Sequence, residues 1–150
     1  MVSVENIVQK HGNKKERLLM ILQDIVKENK YLSEESMLSV AKGLNISSAE
    51  VYGVASFYSF LETQKMGKNI IRICRTISCD MAGKQEIINA IEEKLSIKLG
   101  ETTPDNRFTF LETNCIGWCH KGPAMLINDE AYTELTPEKA IEVLDKYLQD

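Results

Sequence analysis

The chain has 150 residues, 43% of them hydrophobic, and a formal net charge of −4 at pH 7. That length suits one ordinary domain, or a compact domain with a helical extension, and supplies a core without staples. The acidic balance speaks against a nucleic-acid surface, which needs clustered Lys and Arg, and no segment approaches the ~20 apolar residues of a membrane span.

The N-terminal stretch MVSVENIVQKHGNKKER has no signal-type apolar core, so a cytoplasmic location is expected. Lys14, Lys15 and Arg17 cluster there, but Glu5 and Glu16 lie close by, which predicts a solvated face. His11 is expected at the surface. Leu18, Leu19, Ile21, Leu22, Ile25 and Val26 recur at helical spacing and predict an amphipathic helix. A second helix should start at Ser33 as N-cap, with Glu34 and Glu35 in its first turn, and end at Gly43 as a left-handed residue. A third carries a capping box, Ser47 with Glu50. The run from Val51 to Leu61 is too apolar for a one-sided surface helix, so burial is expected along it.

KMGKN breaks the helical pattern and marks an expected boundary between residues 1–66 and 67–150. Beyond it NIIRIC reads as a buried strand ending at Cys74. AGKQEIINAIEEKLSI reads as a helix with Ile87, Ile88, Ile91 and Leu95 inward. RFTFLET, PAMLIN and DEAYTEL read as strands, and Thr136 with Pro137 opens a final helix. The order is β-α-β-β-β-α or β-α-β-β-α. A strand–helix–strand crossover, a hairpin and a covering helix make a thioredoxin-like domain, and the whole chain an α+β protein. The crossover makes its first two strands parallel. Two cysteine pairs, Cys74 with Cys79 and Cys115 with Cys119, then emerge in loops at the same sheet end.

The four thiols have several possible uses. Structural disulfides are rare in a reducing compartment. A thioredoxin-type dithiol needs C-x-x-C, and the pairs here are C-x₄-C and C-x₃-C. Plant-type ferredoxin spacing fails, because Ala82 stands three residues after Cys79. Inert buried cysteines are the bland alternative, which four of four at paired loop positions disfavours. A zinc site remains an alternative, since its knuckles tolerate such spacings. A [2Fe–2S] cluster needs two thiolates on each iron, which two wide loops supply. Gly83 and Gly117 suit loops whose backbone N–H groups must turn toward the sulfides.

Together VYGVASFYS, C-x₄-C, CIGWC and LTPEK resemble the thioredoxin-like [2Fe–2S] ferredoxin subunits of NADH-linked flavoprotein complexes. These include the small peripheral-arm subunit of NADH:quinone oxidoreductase and the gamma subunit of electron-bifurcating iron hydrogenases. The resemblance runs from near Lys14 to Tyr147. It implies a helical N-terminal bundle followed by a thioredoxin-like domain. It implies that Cys74 and Cys79 ligate one iron and Cys115 and Cys119 the other. It also implies a flavin- and NADH-binding iron–sulfur partner subunit, with further iron–sulfur subunits beyond it. Arg75 within RTIS, and the basic WCHKGPAM, depart from the usual pattern. Fourteen lysines against four arginines, with many isoleucines, lean toward a hydrogenase-type complex.

No G-x-G-x-x-G fingerprint, P-loop or nucleophile–base pair is present, so the isolated chain is expected to carry electrons without hydride chemistry of its own. Arg75 and Lys121 are candidate cations near the cluster. Trp118 is a candidate shield or partner contact, and His120 a candidate hydrogen-bond donor. The helical half, with VYGVASFYSFL, is the expected docking element. The competing class is a non-redox adaptor built on a Cys₄ zinc site.

Overall fold

Two apolar periods divide this chain, 3.6 residues in its first part and 2 in its strands. The computed structural model describes residues 3–149 and separates into two units, Met1–Met66 and Gly67–Asp150.

Among the described residues the first unit has four α-helices, α1 (Val4–Lys10), α2 (Leu18–Asn29), α3 (Glu34–Leu44) and α4 (Ser48–Phe57). Its core gathers Ile21, Leu22 and Ile25 of α2, Val40 and Leu44 of α3, and Val51 and Ala55 of α4. Full burial of such a side chain stabilises by about 1.5–3 kcal/mol. Ser33 and Ser47 cap as expected, accepting the N–H groups of Ser36 and Glu50 at 3.1 Å each.

Three expectations fail in this unit. Gly43 does not end α3; Asn45 does, at φ 53°. Gly43 instead lies inside the helix, where an added Cβ would meet Val8 of α1 at 3.0 Å, so its bareness lets α1 pack close. His11 is not at the surface but buried, its Nε2 3.0 Å from Asp24 Oδ2 of α2. The run from Val51 to Leu61 is not buried throughout. The helical period turns Val51 and Ala55 inward and leaves Tyr52 outside. The chain turns extended at Tyr58, and Phe57, Tyr58 and Phe60 remain exposed, Phe57 to 79%. Lys14, Lys15 and Arg17 are exposed, as expected.

The second unit is a four-stranded sheet, the longer of the two orders that the sequence allows. Its strands are β1 (Asn69–Cys74), β2 (Phe108–Thr113), β3 (Met125–Ile127) and β4 (Glu130–Tyr132), in the order β2-β1-β3-β4. β1 and β2 are parallel, while β3 is antiparallel to both β1 and β4. The helices are α5 (Ile77–Met81), α6 (Lys84–Leu95) and α7 (Pro137–Gln149). Ile71 and Ile73 of β1, Phe108 and Phe110 of β2, and Met125 and Ile127 of β3 form one core with Ile87 and Ile91 of α6 and Val143 and Leu144 of α7. Alternation along β1 sends Cys74 to the other face from Ile71 and Ile73. Among the described residues, no helix is long and apolar enough to cross a membrane.

Candidate metal centre

Parallel pairing fixes where the thiols emerge. Cys74 is the last residue of β1 and stands opposite Thr113, the last of β2. The chain leaving β2 reaches Cys115 two residues later, at the same end of the sheet. Cys79 does not sit in a loop, as the sequence suggests, but in the one-turn helix α5. Cys119 opens a single 3₁₀ turn, Cys119–Lys121. A cis Gly122–Pro123 bond then leads into β3.

All four cysteines are free thiols; Cys74 and Cys79 are buried, Cys115 and Cys119 exposed. The sulfurs of Cys115 and Cys119 lie 3.1 Å apart. Gly117, between them, adopts φ 87°, a conformation natural to glycine. Its N–H donates to Cys115 Sγ at 3.4 Å. Gly83 also has positive φ, at 96°, but it serves as the N-cap of α6.

The second cysteine loop closes onto the first. Cys79 Sγ and the Cys119 carbonyl oxygen lie 3.3 and 3.8 Å from the position a Cβ on Gly122 would take, and the Thr76 hydroxyl lies 3.1 Å from the Cys74 sulfur. Burial alone would raise the Cys74 thiol, but the bonds from Thr76, Cys79 and Ile116 outweigh it and hold the thiol below its ordinary value. Cys79 is raised by burial, which overcomes the bond from the Ala124 N–H. Cys119 is raised through its bond with Cys115, then by burial and by the other thiols, Cys74 and Cys79 included. The charge of Cys74 reaches Cys79, and that of Cys115, Cys74 and Cys79 reaches Cys119, so the two pairs share one neighbourhood.

Whether these residues fit a cluster is tested by space as well as by donors. Gly122 leaves room beside Cys79; a Cβ there would stand 3.3 Å from Cys79 Sγ. Among the described residues, no three His, Cys, Asp or Glu side chains gather as ligands of one metal ion. The thiols come as two pairs at one end of the sheet. Soft thiolates in two pairs, with N–H groups aimed at the sulfurs, fit a binuclear iron–sulfur centre.

The other expected residues line the rim. Arg75 donates from Nε to Asn114 Oδ1 at 3.0 Å, so its charge is engaged between the two loops. Lys121 Nζ lies 5.9 Å over the Trp118 ring, and Trp118 stacks on His120. Sequence reasoning missed Thr76, Gly122 and the buried Lys84. Thr76 and Gly122 stand within three residues of a cysteine, the one local signal that could have drawn notice.

A family model described as thioredoxin-like [2Fe–2S] ferredoxin matches residues 4–148. A component subunit of the NADH-quinone oxidoreductase of Escherichia coli (strain K12) is 36% identical over 145 residues, covering 97% of this chain and 87% of that protein. Its counterpart in Buchnera aphidicola subsp. Acyrthosiphon pisum (strain APS) is 40% identical over 126 residues, 84% of this chain and 78% of that protein. Among solved structures, an NAD⁺-reducing [NiFe]-hydrogenase in the air-oxidized state superposes with a TM-score of 0.78 at 22% identity. That match covers 89% of this chain but only 23% of the hydrogenase chain, and shows a shared fold.

Proposed function

The chain belongs to the thioredoxin-like [2Fe–2S] ferredoxin family, and from that premise we propose that it is the one-electron carrier subunit of an NADH-linked oxidoreductase complex. Cys74, Cys79, Cys115 and Cys119 are the proposed ligands, the first pair for one iron and the second for the other. The observation that carries this reading is the parallel pairing of β1 with β2, which sets Cys74 opposite Thr113, two residues before Cys115, and so brings both cysteine pairs to one end of the sheet.

A bound [2Fe–2S] cluster supplies reversible one-electron transfer. The chain's own residues do the rest. The Thr76 hydroxyl favours thiolate at Cys74, the Ala124 N–H works against burial at Cys79, and the Gly117 N–H donates to Cys115 Sγ. Burial of Cys74 and Cys79 keeps water from one side, while Cys115 and Cys119 leave the other side open to a partner. Trp118 and His120 form a flat aromatic rim beside that opening.

The proposed neighbour is a flavin- and NADH-binding subunit, with further iron–sulfur subunits in the same complex. This rests on the relatives, which are named as subunits of NADH-quinone oxidoreductases. Composition leans instead toward an electron-bifurcating hydrogenase. Mass spectrometry of the proteins that purify with a tagged chain decides between these complexes. The helical unit, with Tyr52, Phe57, Tyr58 and Phe60 exposed, is the proposed docking element.

The test of the site is metal analysis with EPR on anaerobically purified protein. The expected result is about two irons and two sulfides per chain, with a paramagnetic signal on reduction. Alanine at any one of the four cysteines should strongly lower that content. A colourless protein holding stoichiometric zinc would instead make the chain a structural adaptor.

A further inference from the structure

Lys84 opens α6 and is only 8% exposed. Lysine is seldom buried to that degree without an opposite charge beside it. Its Nζ lies 3.6 Å from Asp80 Oδ1 and 3.5 Å from Glu112 Oε1. The two carboxylates belong to different segments. Asp80 follows Cys79 in α5, and Glu112 stands on β2 three residues before Cys115. One ammonium therefore spans the segments that deliver one thiol of each pair. A second tie runs outside it, where the Arg75 N–H meets Thr113 O at 2.9 Å and the Arg75 side chain meets Asn114.

We propose that Lys84 is a positioning residue of the metal centre: its ammonium clamps the Cys79 helix to the strand that delivers Cys115, and holds a positive charge beside the ligand loops. This rests on the reading of the four cysteines as cluster ligands. Without the ammonium, Asp80 and Glu112 face each other as like charges. The two thiol pairs then lose their fixed separation, and a centre held from both sides loses its preorganisation. The same charge favours the reduced, more anionic state, so removing it makes reduction harder.

The test uses the full chain loaded anaerobically. K84M keeps an unbranched stem and loses the charge, K84R keeps the charge, and E112Q removes one anchor without uncovering a buried cation. The measurements are the rate at which iron passes to a chelator and the midpoint potential from an optical redox titration, with urea unfolding run alongside. K84M and E112Q should each release iron at least about tenfold faster than the parent chain, the usual effect of losing a group that orients a ligand. The midpoint should move negative in K84M and positive in E112Q, while K84R stays close to the parent in both measurements. If K84M fails to fold, E112Q alone decides. Release at the parent rate in the folded variants overturns the proposal. Faster release without the opposed shifts in potential marks general loosening and also overturns it. A parent chain that takes up no iron removes the cluster reading, and this inference falls with it; a loaded parent with unaffected variants removes the inference alone.

Discussion

Thr76 follows Cys74 by two residues and brings its hydroxyl back to that sulfur. Gly122 comes from the far side of the site and leaves Cys79 its space. Neither is a ligand, yet both act on the sulfurs. Replacing Gly122 by alanine puts a methyl 3.3 Å from Cys79 Sγ, inside ordinary contact distance. Gly122→Ala should fold with near-parental stability but hold less iron after loading, and iron-to-protein ratios check this. Full loading in this variant would show that Cys79 can shift without loss. The four candidate ligands could be singled out in the sequence because cysteines at paired spacing narrow the chemistry open to them. The groups around them could not, since Gly122 comes beside Cys79, and the Arg75 N–H reaches Thr113 O, only once the strands have paired.

At the scale of elements, legibility followed length. α2, α3, α6 and α7 each span at least eleven residues with clear apolar stripes, and the sequence places them all. α1 and α5, of seven and five residues, are too short to show a period. α1 gains its place through tertiary contacts, with Val8 against Gly43 and His11 against Asp24. The His11–Asp24 pair makes a testable pH effect. The hydrogen bond from His11, then that from Lys10, holds the Asp24 carboxyl below its ordinary value. A carboxylate depressed in the folded state stabilises it above the ordinary carboxylate range, and that stabilisation is lost as pH falls through the lowered value. Asp24→Asn should therefore destabilise the chain at neutral pH, with the deficit narrowing on acidification below the carboxylate range. Urea midpoints across a pH series measure it. A deficit that stays constant down to strongly acid pH would assign the effect to lost packing. Lys10 is exposed, so its share of the effect is small and sensitive to salt.

At the scale of the molecule, each unit has its own hydrophobic cluster. The first draws its buried members from Ile7 to Leu61 and the second from Ile71 to Leu144. A unit with its own core can fold alone. The shortened chain 67–150 keeps the sheet, α5, α6, α7, all four cysteines and the Lys84 clamp. It should assemble a cluster with the parent's iron content, measured after anaerobic loading. What it lacks is the exposed aromatic group at the end of α4, including the edge-on pair of Phe57 and Tyr58. Binding energy at protein interfaces concentrates in a few aromatic anchors of this kind. The shortened chain should therefore bind the proposed flavin-bearing partner far more weakly than the full chain, as read by co-purification and by titration of the two purified proteins. Phe57→Ala in the full chain should reproduce part of that loss with the cluster intact, because Phe57 is 79% exposed and outside the core. A shortened chain that keeps both its cluster and its full affinity would put the interface on the sheet domain. The open rim at Cys115, Trp118 and Cys119 would then be the surface that meets the partner, and the aromatic residues of α4 would need another role.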